Sequence, residues 1–82
     1  MKAIKQSKAT DYIERLLIER GYHIPSRKLV NRWVVFEYQG KQIGIDSASG
    51  VWVRGSESDD WRCYATPYTV SGSIQAVEFL VT

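Results

Sequence analysis

Eighty-two residues, 44% hydrophobic and 24% charged, fit one hydrophobic core and exclude both a disordered chain and two domains. The net charge of +2 hides a skew: residues 1–32 hold eight basic groups against three acidic ones, and residues 33–82 hold three against six. One cysteine, Cys63, excludes an intrachain disulfide, and with the single His23 it is too little for a zinc site. No cofactor or metal is therefore expected.

The longest apolar runs, Leu16-Leu17-Ile18 and residues 33–36, fall far short of the roughly 18 residues that span a bilayer. Met1-Lys2-Ala3-Ile4-Lys5 begins like a basic signal region, but residues 6–11 are polar where an apolar stretch is required. The expectation is a cytoplasmic protein with no membrane partner.

A helix comes first. Ala9, Tyr12, Ile13, Leu16 and Leu17 recur at helical spacing, with Asp11, Glu14, Arg15 and Glu19 on the opposite arc. Tyr12, Ile13, Leu16 and Leu17 are expected to cover a sheet. Ser7 or Thr10 is the expected cap, and Gly21 the stop, because glycine enters the left-handed conformation freely. Residues 22–32 read as a connector: Pro25-Ser26 suggests a stop followed by a cap, and residues 27–32 an extra helical turn. Arg27, Lys28 and Arg32 are its densest basic cluster.

A hairpin is predicted next, with a strand over Trp33–Tyr38, a Gln39-Gly40 turn and a return over residues 41–46. A two-residue loop sets Phe36 against Ile43 and Val34 against Ile45 on one face. On the other it sets Val35 against Gly44 and Trp33 against Asp46. Residues 46–50 form a second turn, aspartate bonding the local backbone and Gly50 supplying positive φ. A third strand follows over Val51–Arg54, then a polar loop, then a fourth strand over residues 61–66, ended by Pro67. Residues 70–82 have strand-like composition, yet Gln75, Glu78 and Thr82 fall three and four apart as one narrow helical stripe. Periodicity outranks propensity, and a helix is predicted there.

The reading is an α+β domain: an N-terminal helix, an antiparallel sheet of three to four strands, and a C-terminal helix packed on the same face. This order of elements resembles that of double-stranded-RNA-binding domains and of small toxin ribonucleases. The former carry a lysine-rich start to the last helix, where this chain has Thr69-Val70-Ser71-Gly72-Ser73. The latter place a catalytic histidine on a strand, whereas His23 follows the first helix.

If Val34, Phe36, Ile43, Ile45, Val51 and Val53 face the helices, alternation turns Trp33, Val35, Gly44, Trp52 and Arg54 the other way. The fourth strand adds either Arg62 and Tyr64 or Trp61 and Cys63. Such an apolar outer face has three readings. The tryptophans fold over Gly44, or the face pairs copies of the chain with Gly44 as a depression for a partner's side chain, or it stacks bases. Stacking needs nearby cations, and the sheet half is net negative, which favours protein contact. No paired carboxylates, glycine-rich phosphate loop or serine elbow is present.

The expected function is thus a small non-enzymatic accessory protein, of the kind carried on mobile bacterial DNA, acting by protein contact as a homo-oligomer. Its interface residues are Trp33, Val35, Gly44, Trp52 and Arg54. One alternative is a nucleic-acid-binding module gripping phosphate with Arg27, Lys28 and Arg32. The other is a small ribonuclease using His23 as acid or base.

Overall fold

The computed structural model describes residues 6–21 and 26–81. In chain order it has helix α1 (Gln6–Glu19), strands β1 (Ser26–Val30), β2 (Trp33–Tyr38), β3 (Lys41–Ile45), β4 (Val51–Arg54) and β5 (Arg62–Ala65), and helix α2 (Val70–Val81). The strands form one antiparallel sheet in sequence order, β1-β2-β3-β4-β5. Both helices pack on one of its faces and against each other. The α+β architecture is as the sequence indicates, with one strand more.

The additional strand is β1. Residues 27–32 were expected to make a helical turn, but residues 27–30 are extended and pair with β2 from Ser26↔Glu37 to Val30↔Trp33. The Asn31-Arg32 turn, with φ of 50° and 69°, closes this first hairpin. Two residues of positive φ make a turn whose twist matches that of the flanking strands. The next hairpin follows its predicted register, with Val34↔Ile45, Val35↔Gly44 and Phe36↔Ile43 about Gln39-Gly40. In the turn after β3 the positive φ belongs to Ser49 (65°), not to Gly50.

Helix α1 buries Ala9, Thr10, Ile13 and Leu17, while Tyr12 and Leu16 lie half-buried on its flanks. Ser7 and Thr10 are inside the helix and do not cap it; the Thr10 hydroxyl donates back to the Gln6 carbonyl at 2.8 Å. Gly21, at φ 81°, ends the helix as expected. The Gln6 side-chain amide donates to the carbonyls of Arg32 (2.6 Å) and Ile45 (2.9 Å), pinning α1 to the first hairpin turn and the end of β3.

Residues 70–81 are helical, as the polar stripe requires. Gln75 and Glu78 are exposed, and Ala76, Val77 and Leu80 join Phe36, Ile43, Ile45, Val51 and Val53 in the core. The Thr69 hydroxyl accepts the Gly72 amide at 2.9 Å and caps the helix. Arg20 pairs with Glu78 across the two helices. None of the described helices is long and apolar enough to cross a membrane.

Candidate functional site

Alternation along the strands builds the outer face. Val51 and Val53 are buried against the helices, so Trp52 and Arg54 between and after them turn outward. Gly44 is opposite Trp52 and Val35, and Gln42 is opposite Arg54, so these residues share that side. All five predicted interface residues, Trp33, Val35, Gly44, Trp52 and Arg54, therefore come together there. Cys63 of β5 and Trp61 just before the strand complete it, because Tyr64 turns to the helices and meets Phe79 edge-on at 6.4 Å. A register shift between Val51 and Trp52 obscures this parity in the sequence.

The three indoles form a row. Trp33 is central, 5.7 Å from Trp52 and 5.4 Å from Trp61 between ring centroids. They fold over Gly44: a β-carbon there would lie 2.8 Å from Trp33 Cε3 and 3.0 Å from Trp61 Cη2. The depression expected at Gly44 is thus filled by the chain's own rings, which shield the glycine as aromatics do for strand glycines. Trp52 has its polar edge satisfied, its Nε1–H donating to Asp46 Oδ2 at 2.8 Å.

Beside this row runs a groove of about 250 Å³. Trp33, Trp61, Arg54, Val35 and Gln42 line it, together with Lys28, Val30, Asn31 and Glu57. The Arg54 guanidinium lies 4.3 Å above the Trp61 ring, a cation–π distance. Its Nε–H donates to Gln42 Oε1 at 2.6 Å and its Nη1 to the Glu57 carbonyl at 3.1 Å. Arginine only donates, so the Gln42 oxygen is fixed toward Arg54 and the amide NH2 is left as a donor. Gln42 is only 3% exposed. Among the described residues nothing takes up Gln42 Nε2 or Arg54 Nη2. Trp61 was one of two alternatives that the sequence left open for this face, and Gln42 was not singled out, although it has the same parity as Gly44.

The predicted basic cluster is not one surface. Arg27 points to the helix side, 3.2 Å from Glu14 and 6.0 Å over the Phe36 ring. Lys28, next in the strand, points to the outer face, 3.8 Å from Glu37. Arg32 is exposed in the hairpin turn. His23 lies outside the described residues, Cys63 is exposed on the outer face, and Tyr68 packs on Tyr12 at 6.2 Å. Among the described residues no group of three His, Cys, Asp or Glu side chains could hold a metal ion. Comparison with protein-family models, with curated proteins and with solved structures finds no match for this chain.

Proposed function

We propose that this chain is a non-catalytic contact domain that self-associates and receives a segment of a partner protein in the groove on its outer sheet face. The observation carrying the reading is the Gln42–Arg54 hydrogen bond in a groove that Trp33 and Trp61 also line. A groove lined by two indoles and Val35 suits an aromatic side chain, with tryptophan and arginine the usual anchors of such contacts. Gln42 Nε2 and Arg54 Nη2 are both donors, so the entering segment must carry acceptors beside its ring: a carboxylate, an amide oxygen or a backbone carbonyl.

Panning a random-peptide display library on the purified domain tests this. The selected peptides should share an aromatic residue flanked by Asp, Glu, Asn or Gln. Arg54→Met and Gln42→Leu should each weaken their binding about tenfold or more, the loss of one to two hydrogen bonds to a charged or buried donor. A selection without consensus, or one indifferent to both substitutions, contradicts the reading.

A further inference from the structure

Strand β1 is the first strand of the sheet, and among the described residues β2 is its only neighbour. Natural sheets blunt such an edge with a bulge, a proline, or charged side chains. Here β1 pairs with β2 without a break in register from Ser26 to Val30 and contains no proline. Its two charges each have a carboxylate partner within the chain, Arg27 with Glu14 at 3.2 Å and Lys28 with Glu37 at 3.8 Å, which holds them off the open edge. It also carries Leu29 at 73% exposure, the most exposed of the large apolar side chains described, followed by Val30 at 47%.

The hairpin geometry determines which backbone groups are open. Val30 and Trp33 flank a two-residue turn and so exchange backbone hydrogen bonds with each other. Alternation makes Lys28 the next residue bonded to β2, and leaves the N–H and C=O of Arg27 and Leu29 pointing out of the sheet.

We infer that self-association occurs through this edge: two copies pair β1 with β1, antiparallel, about a two-fold axis through Leu29. A two-fold axis normal to the sheet keeps the helices of both copies on one side, so facing residues must share a face. Centring on Lys28 or Arg27 sets like charges directly opposite each other, which destabilises a pair. Centring on Val30 meets backbone groups already used in the hairpin. Centring on Leu29 joins the open N–H and C=O of the two leucines, sets the leucines together, and puts Lys28 opposite Val30 of the other copy. The product is one ten-stranded sheet whose two tryptophan grooves open on the same side. This deepens the contact-domain reading by naming a second copy and its register, and rests on that reading only for self-association.

Sedimentation equilibrium of the 82-residue chain at high micromolar concentration should return twice the chain mass. Leu29→Lys, at an exposed position, should return the mass of one chain with an unchanged circular dichroism spectrum, and Trp52→Glu should still pair. In a Cys63→Ser background, Leu29→Cys should cross-link on mild oxidation, because facing Cα atoms of a hydrogen-bonded antiparallel pair lie about 5.5 Å apart, within disulfide reach. Lys28→Cys in that background should not cross-link. Gln42→Leu should pair normally while losing peptide binding, so the groove and the edge are read separately. A monomeric unmodified chain, or a Leu29→Lys protein that still pairs, overturns the inference. So does a monomeric Trp52→Glu protein, which would return the interface to the tryptophan face.

Discussion

Single atoms decide the outer face. Gly44 has no side chain because the edges of Trp33 and Trp61 occupy the volume where one would begin. The same tightness recurs at Gly50, where a β-carbon would come within 2.5 Å of Asp46 Oδ2. That carboxylate accepts from the amides of Ala48 (2.8 Å) and Gly50 (2.7 Å) and from the Trp52 indole, so one aspartate both shapes the turn and orients a tryptophan. The opposite face holds a less favourable arrangement: Ser73 Oγ is buried without a hydrogen-bond partner. An unsatisfied buried hydroxyl costs ~1–3 kcal/mol, and alanine is the better helix former. Ser73→Ala should therefore stabilise the fold by about 1 kcal/mol, read as a higher urea midpoint at unchanged slope. A lowered midpoint would show that the hydroxyl is satisfied in solution.

At the scale of elements, the first hairpin is the informative one. Its turn is Asn31-Arg32, and Arg32 sits at φ 69° where such turns favour glycine. The left-handed conformation costs an ordinary side chain ~1–2 kcal/mol, against ~0.5–1 kcal/mol for the extra freedom glycine brings to the unfolded chain. Arg32→Gly should raise stability by about 0.5–1 kcal/mol in urea unfolding; a fall would contradict the turn. The same missing glycine explains why β1 was illegible. Ser-Arg-Lys-Leu-Val followed by Asn-Arg lacks both turn signal and apolar alternation, and its charges are matched only once α1 and β2 supply Glu14 and Glu37. The second hairpin carried its Gln-Gly turn and consistent parity, and so its register was readable, although the return strand ends at Ile45, short of the expected Asp46 and its pairing with Trp33. Helix α2 was readable from its polar stripe despite β-branched composition. The indole of Trp61 was not, because its side depends on the register shift opposite β4.

For the whole molecule, the sheet buries both faces by different means. The helices cover one with aliphatic side chains, and the indole row covers the middle of the other over Gly44, leaving the groove beside it. Folding offsets part of the skewed charge of the sequence: Arg20 and Lys28 from the basic half meet Glu78 and Glu37 from the acidic one, and Arg27 meets Glu14 within its own half. That leaves the groove, more than any basic surface, as the feature that distinguishes the molecule. Its role as the working surface can be followed in the side-chain indole N–H resonances of the three tryptophans. On titration with a panned peptide, the Trp33 and Trp61 signals should shift together and saturably, and the Trp52 signal, whose N–H is held by Asp46 outside the groove, should move least. Shifts confined to Trp52, or no saturable shift in any indole, would contradict the account.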